Sequence, residues 1–390
     1  MRILVANDGL SDVGGVQAYL DVTLAALASR GHSVALAYCT DSGLPASSGS
    51  DGYLRFHVSD AVRDSAIDAI RRWAPDVCYV HNMHDLTVDS ALTAVAPVVK
   101  FMHGYFGTCI GGLKMHRFPR AIACDRTLGP ACVPLFLARR CGQLSAQVLV
   151  TELRWAHRQQ DLFADYAAIV VASDHMRREY HRHGAKPSKV HVNPLFPTNP
   201  LPERPVPPPD QPAVAFLGRM THLKGGDVLI RAVSRATTRL GRAVPVQMIG
   251  DGPQRRSWEA LARRLGVACA FTGWVDGDRR WDLLRGCSVV ALPSVWPEPF
   301  GLVGLEAGAL GLPVVASDVG GVREWLHDGV NGVLVPAPAS PDAFGDALVD
   351  LLTDTARQVA LRRGARRVAS EMTVTRHVER LEAVFRTVAA

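Results

Sequence analysis

No apolar run in this 390-residue chain approaches the ~20 residues that a membrane span needs. The opening stretch, Met1-Arg2-Ile3-Leu4-Val5-Ala6-Asn7-Asp8, stops too soon for the apolar core of a signal peptide, so a cytoplasmic location is expected. Aromatic residues are sparse at 7% and are not interleaved with basic runs, which leaves nucleic acid an unexpected partner. The eight cysteines include no C-x-x-C pair, so the zinc-ribbon signature is missing. The G-x-G-x-x-G of a dinucleotide fold is missing as well, which argues against a dehydrogenase. Neither sign of charge is scarce: 43 Lys and Arg face 37 Asp and Glu, a net charge of +6. That mild excess suits anionic substrates, or loose peripheral contact with acidic lipid headgroups at the inner face of a membrane.

Nearly half of the residues are hydrophobic and about a fifth are charged, as in globular proteins, and the length exceeds what one core supports. Short β-branched runs alternate with helical patterns. In the first half, strands are expected at Arg2–Asn7, Ser33–Cys39, Asp76–His81, Val98–His103 and Ala168–Ser173. In the second they are expected at Ala213–Leu217, Val244–Ile249, Ala268–Thr272, Cys287–Leu292, Val314–Ser317 and Gly332–Val335. Such alternation implies α/β domains with parallel sheets covered on both faces. The pattern predicts a domain over residues 1–195, a Pro-rich linker over 196–211 and a second domain over 212–373. Residues 374–390 are expected to form a helix that returns to the first domain. Two doubly wound domains in tandem are expected to face a cleft at the carboxyl ends of their strands.

The most informative stretch is Ser294-Val295-Trp296-Pro297-Glu298-Pro299-Phe300-Gly301-Leu302-Val303-Gly304-Leu305-Glu306-Ala307. Two prolines hold Glu298 on a stiff loop. Gly301 allows a tight turn, and a helix expected over Leu302–Leu310 offers unpaired N–H groups and a positive dipole end to a phosphate. Carboxylates on either side suit the hydroxyls of a sugar nucleotide. Upstream, a strand ends at Gly218, so Arg219 and Lys224 should project from its carboxyl end, where two cations suit a diphosphate. Near the N-terminus, Gly14-Gly15 opens a helix and leaves amides free for an anion. His103 closes a strand, where an imidazole can reach a sugar hydroxyl or carry a proton. Gly250-Asp251-Gly252 reads as a tight turn, and Gly320-Gly321 as lining of the cleft. His81 and His84 read as structural.

Taken together, the glycine pair at 14–15, His103, Arg219 with Lys224 and the Glu298–Glu306 stretch resemble the retaining glycosyltransferases of family 4, which have the GT-B fold. The likeness covers essentially the whole chain and is strongest from Gly218 to Val335. It implies an acceptor-binding first domain and a second domain that holds a nucleotide-sugar donor. By resemblance, Glu298 holds hydroxyls of the donor sugar and Glu306 those of the ribose. Arg219 and Lys224 neutralise the diphosphate, with Gly218, Gly14 and Gly15 close to it. The amides of Phe300, Gly301 and Leu302 fix donor sugar and phosphate, and His103 lies near the reacting carbon. The resemblance implies transfer of a hexosyl or N-acetylhexosaminyl unit, from a UDP-sugar by preference and GDP-mannose next, to a sugar-containing acceptor.

Asp276-Gly277-Asp278 matches the Asp-x-Asp that holds a metal in other transferases, yet its setting reads as a turn. Neither a metal nor another cofactor is therefore expected. Residues 104–145 break the alternation as an insertion carrying Cys109, Cys124, Cys132 and Cys141, for which thiols, disulfides and a structural metal are all open. Two other functions use a similar architecture: a nucleotide-sugar epimerase, and a nucleotide-sugar binder without turnover. Nothing in the sequence specifies an oligomeric state.

Overall fold

The computed structural model describes residues 1–9, 15–40, 52–198, 209, 211–275 and 277–390. The chain divides into two compact units. One comprises Met1–Lys114, Asp125–Thr198 and Val374–Ala390; the other comprises Met115–Cys124 and Asn199–Thr373.

In chain order the strands of the first half are β1 (Arg2–Gly9), β2 (Ser33–Thr40), β3 (Leu54–His57), β4 (Val77–Val80), β5 (Val98–Met102), β6 (Met115–His116), β7 (Ile122–Ala123), β8 (Ala168–Val171) and β9 (Val190–Val192). Seven form one parallel sheet in the order β3-β2-β1-β4-β5-β8-β9. Every residue of β4, β5 and β8 is buried, because helices cover both faces and leave no wet side to favour alternation. The order reverses between β1 and β4, and ligands of such sheets bind at the carboxyl ends beside that reversal.

The helix Val374–Ala389 belongs to this first unit and buries Val378, Leu381 and Phe385. Phe385 meets Tyr79 of β4 edge-on at 5.2 Å. His377 completes a buried polar chain. Its Nδ1 donates to Pro194 O (2.8 Å), so its Nε2 is free to accept from the Tyr19 hydroxyl at 2.7 Å. The Tyr19 hydroxyl also lies 2.6 Å from that of Tyr79.

The second unit contains β10 (Val214–Leu217), β11 (Val246–Ile249), β12 (Cys269–Gly273), β13 (Val289–Leu292), β14 (Val314–Ser317) and β15 (Gly332–Val335). All are parallel in the order β12-β11-β10-β13-β14-β15, so the reversal falls between β10 and β13. The helix Gly226–Leu240 buries Val228, Leu229, Ile230, Val233 and Ala236, and the helix Pro341–Thr353 buries Phe344, Leu348 and Leu351 in the same core.

Three features depart from the sequence reading. The short strands β3 and β9 were not expected; they lie at the two edges of their sheet, where partial exposure weakens the apolar signal. The insertion is divided, and its hairpin β6–β7 groups with the second unit. There burial, and then the charge of Arg117, lower the pKa of His222. The sequence from Asp342 to Ala389 is helical in pattern throughout, but the structure interrupts it at Asp354, which caps the helix Thr355–Glu371 through Arg357 N, and again at Met372. The linker residues 199–208 and 210 lie outside the described residues.

Candidate functional site

In the second unit the residues singled out from sequence gather at the carboxyl ends of β10 and β13. Past β10, Gly218 has φ 145°, and Arg219 follows as an exposed side chain. The turn after β11 seats this loop. A Cβ on Gly250 would stand 2.2 Å from Gly218 O, and one on Gly252 would stand 2.6 Å from Met220 O. Asp251 closes that turn, accepting from Gly252 N at 2.7 Å and from Arg255 at 2.9 Å. Gly250-Asp251-Gly252 is thus a tight turn whose close packing positions the Arg219 loop.

A 3-10 turn, His222–Lys224, then delivers Lys224, and Gly225 passes into the helix Gly226–Leu240 at φ 65°. A Cβ at Gly225 would lie 1.9 Å from Pro293 O, so only glycine lets this loop rest on the end of β13. Val295 N donates to Leu223 O at 2.9 Å and ties the two loops together. Lys224 Nζ consequently reaches Glu298 Oε1 at 2.7 Å and lies 5.6 Å from the centre of the Trp296 ring. Glu298 is buried, 3% exposed, and Ser294 Oγ donates to the same carboxylate oxygen. A buried carboxylate needs such partners. A paired ammonium and a hydroxyl orient it, with its carboxylate placed to accept hydrogen bonds from ligand hydroxyls.

The backbone of Glu298 is fixed as tightly as its side chain. Gly321 N donates to Glu298 O at 2.7 Å, and Gly320, at φ 57°, leaves no room for a Cβ, which would fall 2.1 Å from that oxygen. Gly301, at φ 81°, starts the helix Leu302–Ala309. Trp325 supports this turn. Its Nε1 donates to Phe300 O at 2.7 Å, and its ring fills the space beside Gly304, where a Cβ would meet it at 2.0 Å. Phe300 is buried beneath the turn. Glu306, which the sequence places near the helix start, is the fifth residue of this helix and 4% exposed, with Arg280 Nη2 at 3.8 Å. Asn331 is structural, bonding Trp325 O and His327 N at 2.7 Å each.

Sequence reasoning passed over Ser294, Trp325 and Arg280, and understated Gly320-Gly321. The glycine pair was visible as a pair. The roles of Trp325 and Arg280 depend on contacts 21 or more residues away in the chain and left no local signal.

In the first unit Gly14 lies outside the described residues. Gly15 opens the helix Gly15–Ser29, is exposed, and has open space where a Cβ would be. His103 follows β5 and shares a 2.9 Å hydrogen bond with His81, Nε2 to Nδ1. Burial, then the charges of Lys100 and His377, push the His103 imidazole down to about 3, and burial with His103 holds His81 well below its ordinary value. Both rings are therefore neutral near pH 7, and His103 is suited to hydrogen bonding rather than to carrying charge.

Among the described residues, no three His, Cys, Asp or Glu side chains are grouped as a metal site. Asp276 lies outside those residues. Among the described residues, Cys109, Cys124, Cys132 and Cys141 are not joined in disulfides. No helix among the described residues is long and apolar enough to cross a membrane.

Each unit has a parallel sheet with a reversal point, and the second places phosphate-suited loops beside its own; comparison with known proteins assigns the class. The family model Glycosyltransferase Family 4 matches residues 13–196, and Glycosyl transferases group 1 matches residues 199–368. The chain belongs to the family 4, group 1 glycosyltransferases of GT-B fold. Among similar proteins is an uncharacterized glycosyltransferase of Methanocaldococcus jannaschii, 40% identical over 147 residues, 37% of each chain. Another is a D-inositol 3-phosphate glycosyltransferase of Xylanimonas cellulosilytica, 42% identical over 161 residues, 41% of this chain and 38% of that one. These matches span less than two fifths of the relatives' length. The fold matches across nearly the whole chain. Anabaena HepE in complex with UDP-glucose has a TM-score of 0.72 at 19% identity, covering 99% of this chain and 100% of that one. The sucrose-phosphate synthase of Thermosynechococcus elongatus has a TM-score of 0.71 at 18% identity, covering 99% and 98%.

Proposed function

We propose that the protein transfers a hexosyl or N-acetylhexosaminyl unit from a nucleotide sugar, UDP-linked by preference, to a hydroxyl of a sugar-containing acceptor. In this reading the anomeric configuration is retained and no metal takes part. The Lys224–Glu298 pair at the β10/β13 reversal, held by Gly225, Ser294 and Gly320, carries the proposal. As the sugar–phosphate bond breaks, negative charge grows on the diphosphate. Lys224, Arg219 and the N–H groups of Phe300, Gly301 and Leu302 stabilise it where it develops. Glu298 accepts from sugar hydroxyls, and Glu306, beside Arg280, from those of the ribose. The neutral His103 donates to, or accepts from, a sugar hydroxyl. Gly15, with no neighbour at its Cβ position, leaves backbone accessible to phosphate.

The UDP preference is supported by the UDP and UDP-glucose complexes of HepE, a protein of the same fold. Exposed Val133, Leu137, Leu144 and Val150 lie in the same stretch as exposed Arg126 and Arg154. That composition supports peripheral attachment at the inner face of a membrane.

The test is UDP release from UDP-sugars in excess chelator, with the anomeric configuration of the product read by NMR. Unchanged turnover and retained configuration are expected. Loss of activity that magnesium or manganese restores would refute metal independence, and an inverted product would refute retention. Conversion of the donor without any acceptor would mark an epimerase.

A further inference from the structure

The first unit contains a cavity of about 380 Å³ at the carboxyl ends of β1, β4 and β5, within the ~300–1,000 Å³ range of small-molecule sites. We propose that this cavity is the acceptor subsite and that it takes an uncharged, hydroxyl-rich ring, a neutral sugar or polyol, while rejecting its phosphorylated counterpart. The inference rests on the transferase reading above and specifies its acceptor.

One wall is a fixed aromatic face. Trp155 is locked by its Nε1, which donates to His84 O at 2.9 Å, and by Phe106 packed edge-on against it at 5.7 Å. A rigid indole covers the apolar C–H face of a ring at little entropic cost. Opposite in chemistry stand the carboxylates of Asp8 and Glu152, both lining the cavity and both partly exposed. Ionised carboxylates only accept hydrogen bonds, and ring hydroxyls donate them.

His81 brings an unsatisfied polar edge to the wall of the cavity. Its side chain is fully buried, lines the cavity, and spends Nδ1 on His103, while its Nε2 has no hydrogen-bond partner among the described residues. A buried nitrogen without a partner costs stability unless a ligand or water completes it. A neutral imidazole edge can do so with a hydroxyl of either polarity.

Charge then selects against anions. Lys100 is the one Lys or Arg among the described lining residues, and its ammonium is committed to Asp89 at 2.6 Å, both side chains being buried. Asp89 in turn accepts from Tyr166 at 2.6 Å. Among the described lining residues, a phosphate entering this cavity meets two carboxylates and no Lys or Arg beyond the paired Lys100, a like-charge arrangement that penalises the wrong ligand.

The test is direct binding to the full chain, by saturation-transfer NMR and calorimetry without donor. The probes are methyl α-glucoside and myo-inositol, with glucose 6-phosphate and inositol 1-phosphate as their charged counterparts. At least one neutral probe is expected to bind tenfold or more tightly than its phosphate. Trp155→Ala is expected to weaken the neutral probe about tenfold, and Glu152→Lys to narrow the neutral-to-phosphate ratio by a similar factor. Wild-type ratios alone decide the matter if either variant misfolds. Equal or tighter binding of the phosphates, or no binding of either neutral probe, would overturn the proposal. A separate UDP titration of the wild type reports on the donor reading, so the two fail independently.

Discussion

At the scale of single residues, Lys224 and Glu298 have effects that can be told apart. Lys224→Ala removes a cation from the leaving group and is expected to lower kcat by about 10²–10³-fold. It also strips a buried carboxylate of its ammonium, which should cost about 1–3 kcal/mol of stability in urea unfolding. Glu298→Gln keeps the shape but loses a charged acceptor worth about 1.5–3 kcal/mol, or roughly 10- to 150-fold in kcat/KM. The double variant should regain stability without regaining activity, because no unpaired charge then remains buried. The histidines make a pH prediction. Burial pushes His103 down to about 3 and His377 to about 4, against about 6.5 in an unfolded chain. Their folded forms bind fewer protons, so this contribution to stability is complete above pH 6.5 and is lost as pH falls toward 4. The urea midpoint should drop from pH 7 to pH 5, and kcat should show no inflection near pH 6.5 from His103.

At the scale of elements, glycines decide where loops can rest. Gly320→Ala puts a methyl group 2.1 Å from Glu298 O at a φ of 57°, so the loop must move. Weaker UDP-sugar binding, by tenfold or more in calorimetry, is the expected result. Gly15→Ala meets open space in the protein; any loss of donor binding there would report contact with ligand rather than a packing defect. These elements also show how far a sequence can be read. Strands β10, β14 and β15 and the helix Gly226–Leu240 could be read from apolar runs bounded by glycine, since burial and turn chemistry there are local. The clamp of Gly320-Gly321 on Glu298 could not, because it joins residues 22 or more apart. The same holds for Trp325 under Gly304 and for the orphaned edge of His81.

At the scale of the whole molecule, two parallel sheets were legible from strand–helix alternation, because buried parallel strands must be apolar throughout; their strand order, with reversals at β1/β4 and β10/β13, comes from the structure. The division of the insertion was not, since short hairpins carry little pattern. The return of the last helix to the first unit rests on Val378, Leu381 and Phe385, together with Glu382, which accepts from Arg30 and lies 2.9 Å from His32. Leu381→Ala should cost about 2–5 kcal/mol in denaturant unfolding. The bond from Arg30, more than that from His32, holds Glu382 at about 2 despite its burial. A depressed carboxylate stabilises above its unfolded pKa of about 4.3, and that gain is lost as pH falls through 2. Glu382→Gln should therefore lower Tm at pH 7 and leave it unchanged near pH 2.

The most direct measurement is calorimetric titration of UDP and a UDP-sugar into wild-type protein and Lys224→Ala, without metal. Saturable binding to the wild type, weakened at least tenfold by the substitution, is the predicted result. Absence of binding by uridine, guanosine and adenosine diphosphates and their sugars alike, or affinity indifferent to Lys224, would contradict a donor site at the β10/β13 reversal.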